Sequence, residues 1–138
     1  MATPVVAQLV SFFCQDHVAL AGFYREAFGF AEVEEVRSPI FTALAAGGVA
    51  LGFHADDAYA LLGVEDRRGA RAGTHVTFDL GTAAAVDACV PRLCALGATV
   101  VQGPFTTYYD ARQVVLLDPE GNVLRVSDTQ QALTFGVA

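Results

Sequence analysis

The chain has 138 residues, 54% of them hydrophobic and only 17% charged, with a formal net charge of −7. That length and apolar content support one domain with a sizeable core and exclude a disordered acidic chain. The acidity argues against nucleic-acid partners, and no apolar run approaches the ~20 residues needed to cross a membrane.

Cys14, Cys89 and Cys94 are odd in number and lack metal-site spacing. Free, buried, reduced thiols are expected, which suits a cytoplasmic protein. The first ten residues lack a charged segment followed by a long apolar stretch, so no secretory leader is expected.

The first predicted element is a buried strand over Val5–Cys14. Asp16 then stands at an N-cap position ahead of HVALAGFYREAF. There Leu20, Phe23 and Ala27, with Tyr24 and Phe28 beside them, make one apolar face of a helix. Gly29 supplies the left-handed stop. Strands are expected around Phe30–Val36, Ile40–Ala45 and Val49–Phe53, with Gly47-Gly48 turning between the last two. From His54 to Gly73 the pattern breaks into a charged, Gly-punctuated connection, with room for a short helical turn at Ala58–Leu62.

The order then restarts. Thr74–Leu80 alternates as a strand, and Thr82 can cap a helix to about Leu96 with Val86, Val90 and Leu93 on one face. Gly97 stops it. Pro91 should kink or shorten this helix, because it lacks the N–H that an interior position donates. Strands follow at Ala98–Gln102, Gln113–Leu117 and Asn122–Ser127, with a tight turn at Asp118–Asn122. The predicted fold is α+β: two tandem β-α-β-β-β modules, at 5–54 and 74–128, joined by a linker at 55–73 and followed by a tail at 129–138, all within one domain spanning 1–138. One helix covers one face of each four-stranded sheet. The other face must be buried, and two such sheets would form a curved mixed sheet around a ligand-sized hollow.

Two segments carry a family resemblance. Asp16 with Phe23-Tyr24-Arg25-Glu26-Ala27-Phe28-Gly29-Phe30 resembles the first helix of the glyoxalase/bleomycin-resistance/extradiol-dioxygenase superfamily, the vicinal oxygen chelate fold. Asp118-Pro119-Glu120-Gly121-Asn122 resembles its turn before the final strand. The likeness runs from about Val5 to Ser127. Metal-dependent members bind one divalent ion with residues from the first and last strands of each half. The resemblance places those ligands at Leu9 (or Gln8, after a one-residue slip), at or beside Leu51, at His75 and at Arg125. Leucine has no lone pair to give and arginine is a permanent cation, so only His75 fits the role. Asp79 shares a strand face with His75 but lies about 13 Å along it, too far to share an ion. His54, Asp56 and Asp57 could gather a stray metal. No cofactor is expected, a divalent metal being the weaker alternative.

Strand alternation places Leu9, Ser11 and Phe13 on one face, and Leu51 with Phe53 on another inward face; His75, Thr77, Arg125 and Ser127 are expected to point inward too. These side chains either fill a closed core or line a small-molecule pocket. Arg125 pairs with a carboxylate such as Asp79 or awaits an anionic ligand. His75 is a satisfied histidine, a pocket donor or a general base. The stretch Phe105–Arg112 has no counterpart in the first half. Its Tyr108 and Tyr109 suit either a pocket mouth or a dimer seam, and Arg112 either pairs with Asp110 or reaches a ligand.

The resemblance implies a metal-free binding protein of the bleomycin-resistance type, holding a small aromatic or planar molecule. The alternative is an enzyme of the same superfamily: a metal-dependent lyase, isomerase or dioxygenase, or a metal-free acid–base catalyst using His75. A homodimer is the expected assembly, as is common in that family.

Overall fold

A computed structural model describes residues 7–65 and 74–128. The start of the first predicted strand, part of the linker and the tail at 129–138 lie outside these residues. The chain divides into two compact units, Met1–Ala70 and Arg71–Ala138.

In the first unit, helix α1 (His17–Phe28) starts where Asp16 accepts a hydrogen bond from the Ala19 N–H at 2.9 Å, and ends at Gly29 with φ 74°. A side chain is strained at that φ, so glycine sets the stop. Leu20, Ala21, Phe23, Tyr24 and Ala27 form the buried face of α1. They pack on a four-stranded sheet ordered β1-β4-β3-β2, built from β1 (Leu9–Cys14), β2 (Ala31–Glu32), β3 (Phe41–Ala45) and β4 (Ala50–Ala55). Strands β1 and β4 are parallel and the other pairs antiparallel. Gly22, in the interior of α1, costs about 1 kcal/mol relative to alanine.

The strand expected over Phe30–Val36 is only two residues long, and Glu34–Val36 form a 3-10 turn instead. That turn brings Arg37 back onto Glu32, where its Nη2 donates to Oε1 at 2.7 Å. A local ion pair thus replaces the strand that alternation alone would favour. The short helical turn expected in the linker is α2 (Ala58–Leu61).

The second unit repeats the order. Its sheet runs β5-β8-β7-β6, from β5 (Val76–Asp79), β6 (Thr99–Thr106), β7 (Arg112–Leu117) and β8 (Val123–Ser127), with only β5 and β8 parallel. Helix α3 (Ala83–Ala95) is capped by Thr82 and is not shortened by Pro91. Pro91 and Asp87 both stand on the exposed side, so the Asp87 carbonyl left without an intrahelical donor faces water. Val86, Cys89 and Leu93 are the buried positions, Cys89 taking the place expected for Val90. Burial raises the pKa of the Cys89 thiol. All three cysteines are free, but Cys94 is exposed rather than buried.

Strand β6 continues past the predicted end at Gln102, through Gly103-Pro104, with register shifts on either side of Gln102. It is an edge strand, so the N–H that proline lacks is not demanded by a neighbour. Two mixed sheets, each covered by one helix, therefore make up two tandem modules of the predicted α+β class.

Candidate functional site

Parallel pairing fixes which residues share the sheet face turned away from α1. Leu9, Ser11 and Phe13 pair with Ala50, Gly52 and His54, while Val10 and Phe12 pair with Leu51 and Phe53. Directly paired residues point to the same side. Leu51 and Phe53, expected to point inward with the pocket residues, instead lie under α1, with exposures of 1% and 0%. Phe53 stacks on Tyr24 and Phe12 at centroid separations of 5.6 and 5.5 Å. Their places on the open face belong to Gly52 and His54.

A glycine is required at that first place. A Cβ on Gly52 would lie 2.5 Å from Ser11 Oγ and 2.9 Å from the Phe41 ring. The His54 ring sits against Phe41 at 4.6 Å and Phe13 at 5.7 Å, and Phe13 stacks on Tyr59 of α2 at 3.9 Å. The open face of the first sheet is thus aromatic, with one imidazole in it. The signal that could have found it is Gly52 itself, since a strand glycine marks close approach of neighbouring groups.

Burial holds the His54 pKa below the usual imidazole value, and repulsion from a charged His17 adds to the effect. Folded His54 therefore binds its proton less readily than the unfolded chain does. Its contribution to stability is complete above the ordinary histidine value, about 6.5, and is lost as pH falls through the depressed one. Urea midpoints measured at about pH 7.5 and about pH 5 should drop more in the wild type than in His54→Gln. Equal drops would remove His54 as the cause.

In the second sheet, Thr77 pairs with Arg125, Arg125 with Val115, and Gln113 with Ser127. These residues share the face turned away from α3, whose own face carries Phe78, Val114, Leu116, Leu124 and Val126, all buried. Of the two readings open for Arg125, the ion pair with Asp79 does not form. Its Nε donates to Thr77 Oγ1 at 2.9 Å, while Asp79 Oδ1 accepts from the Gly81 N–H at 2.8 Å. Among the described residues the terminal guanidinium nitrogens of Arg125 have no hydrogen-bond partner or ion pair.

The loop between β6 and β7 is closed by the Thr107 N–H donating to the Ala111 carbonyl at 2.8 Å. The Tyr109 hydroxyl donates to Oε1 of Gln113 at 3.1 Å, which ties this ring to the open face beside Arg125. Tyr108 is 99% exposed, with its ring edge-on to Tyr109 at 5.0 Å. Phe105 pairs with Gln113 across β6 and β7 and adds an aromatic ring to the same face. Arg112 pairs neither with Asp110 nor toward this face. It stands on the α3 side, with Nε 2.7 Å from Asp87 Oδ1. His75 precedes β5 and is exposed.

The second sheet thus gathers Thr77, Arg125, Gln113, Tyr109 and Phe105: a guanidinium with donors to spare, flanked by aromatic and amide groups. Gln113, which sequence reasoning left out, is only 8% exposed and anchors Tyr109. The metal positions implied by the resemblance fall at Leu9, at Gly52 beside Leu51, at His75 and at Arg125. One histidine, two side chains without donors and a guanidinium do not fit a divalent cation. Among the described residues no three His, Cys, Asp or Glu side chains lie close enough to hold one, His54, Asp56 and Asp57 included.

Residues 8–127 match the glyoxalase-like domain family, and the chain belongs to it. A glyoxalase/bleomycin resistance protein/dioxygenase family enzyme from Burkholderia phytofirmans is 41% identical, with 88% of this chain and 96% of that chain covered at a TM-score of 0.81. A glyoxalase-related enzyme from Fulvimarina pelagi is 20% identical, covering 89% and 87% at a TM-score of 0.78. Lactoylglutathione lyase from Agrobacterium tumefaciens is 22% identical, covering 99% and 100% at a TM-score of 0.72. The last two likenesses concern the fold alone. No curated protein gives a match. No described helix is long and apolar enough to cross a membrane.

Proposed function

We propose that this chain is a metal-free, small-molecule-binding member of the glyoxalase-like family. Its ligand is a planar aromatic compound bearing an anionic group, held on the open face of the second sheet. The observation that carries this reading is Arg125, whose guanidinium makes a single hydrogen bond, to a neutral hydroxyl, and no ion pair among the described residues. A carboxylate would gain charge-assisted hydrogen bonds there, and the rings of Phe105 and Tyr109 offer flat apolar surface for its body. Tyr108 would extend that surface when a ligand is present.

The test is a thermal-shift and calorimetric titration with a set of aromatic carboxylates and their neutral amides. A carboxylate should raise Tm and bind wild type about ten-fold or more tighter than Arg125→Gln, the difference expected for one lost charge-assisted contact. Equal affinity for both proteins would overturn the site. Purified protein carrying near-stoichiometric divalent metal that is lost on His75→Ala would overturn the metal-free part.

One observation favours a second reading, an enzyme: the 41% identical Burkholderia protein is described as one. His75 would then serve as acid–base group, and turnover abolished by His75→Ala but retained after chelation would establish it.

A further inference from the structure

The first unit also carries a groove of about 350 Å³ on the opposite side of its sheet from the aromatic face, between α1 and the β2–β3 stretch. This volume falls within the range of small-molecule sites. Ala21, Gly22 and Leu44 supply apolar lining. At the bottom both ring nitrogens of His17 are occupied, Nε2 by the Pro39 carbonyl and Nδ1 by Thr42 Oγ1, each at 2.8 Å. Those polar groups need no ligand to satisfy them and form a fixed floor.

Gly22 is the unusual member. Glycine is among the poorest residues for a helix interior. Its φ is not positive, and a Cβ added there would meet nothing within 4 Å. Neither strained backbone nor close packing within the chain therefore calls for glycine. What the missing side chain leaves is the open groove. A residue that opposes its local structure without a packing reason points to a site.

The charges at the mouth indicate what would enter. Glu32 is taken by Arg37, whose hydrogen bonds hold its carboxyl pKa below the ordinary value against an opposing effect of burial. Arg25 makes only a long ion pair with Glu32, Nη1 to Oε1 at 4.0 Å, and no side-chain hydrogen bond among the described residues. A cationic fork with unused donors thus stands over an apolar wall.

We propose that this groove is a second binding site, separate from the Arg125 face, for a small carboxylate with a compact apolar body. The carboxylate lies on Arg25, and the body lies in the space beside Gly22.

The experiment is a residue-resolved NMR titration of the full chain with benzoate, and with benzamide as its neutral counterpart. Benzoate should produce saturable shifts in the amides of residues 18–25 and 37–44, about ten-fold stronger in affinity than benzamide. Gly22→Leu should abolish them, Arg25→Gln should weaken them about ten-fold, and Arg125→Gln should leave them unchanged. Shifts confined to the second unit would overturn this site while leaving the Arg125 reading intact. Equal binding of benzamide, or unaltered benzoate shifts in Arg25→Gln, would also overturn it. Should Gly22→Leu fail to fold, the exposed Arg25→Gln decides alone. A lower molecular mass for folded Gly22→Leu than for wild type would show that a second copy of the chain occupies the groove, and would overturn it as well.

Discussion

Phe53→Ala should destabilise the protein by about 3–5 kcal/mol, whereas Leu9→Ala, at the first position of the neighbouring β1, should cost under about 1 kcal/mol. Both residues are apolar and both belong to the adjacent strands β1 and β4, so composition alone would rank them together. Their faces separate them. Phe53 is 0% exposed and clustered with the rings of Phe12 and Tyr24, whereas Leu9 is 42% exposed on the other side of the sheet. Removing the phenyl ring leaves a cavity under α1 that neighbouring aromatic rings cannot fill without leaving their own contacts. Urea denaturation with an unchanged slope and a lower midpoint would register this as lost stability. If Phe53→Ala unfolded near the wild-type midpoint but lost ligand binding, Phe53 would belong to a pocket and the face assignment given by the β1–β4 register would be wrong.

That pair of residues also marks where the sequence stops being sufficient. The two modules were legible because each rests on several agreeing local signals: Asp16 and Gly29 bracket α1, Thr82 opens α3, and glycine-containing turns separate the strands. The faces of β1 and β4 were not. Leu9-Val-Ser-Phe-Phe and Ala50-Leu-Gly-Phe-His are apolar at both parities, so the period of two offers two solutions and no polarity to choose between them. Only the pairing of Ser11 with Gly52 decides, because that contact requires the absence of a side chain. Arg125 stands on the face turned away from α3, and its partner was not predictable from charge. Asp79 lies on the neighbouring strand two residues from Thr77, yet its carboxylate is already used by the Gly81 N–H just beyond β5. Arg112 failed for a third reason. Its partner Asp87 is 25 residues away on α3, and a helix-to-strand contact at that separation leaves no trace in local spacing.

Asp118→Ala should cost about 3 kcal/mol, with Asp118→Asn costing about 1 kcal/mol. Asp118 is 3% exposed, and its Oδ1 accepts from the N–H groups of Glu120 and Asn122 at 2.9 and 3.0 Å. The Asn122 side-chain amide donates to both carboxylate oxygens. Alanine leaves these donors without acceptors in a half-buried turn, where the loss of a charged acceptor is felt most. Asparagine keeps one carbonyl oxygen for the two backbone donors, so most of the turn survives. The consequence extends beyond the turn, since it holds Leu117 opposite Val123 and thereby sets the β7–β8 register. A slip of one residue would turn Leu124 and Val126 out of the core and Arg125 into it. Amide exchange should therefore show Val123–Ser127 losing protection in Asp118→Ala and keeping most of it in Asp118→Asn. If both variants matched wild type, the turn would be held by its backbone conformation, including Gly121 at φ 87°, and not by the carboxylate.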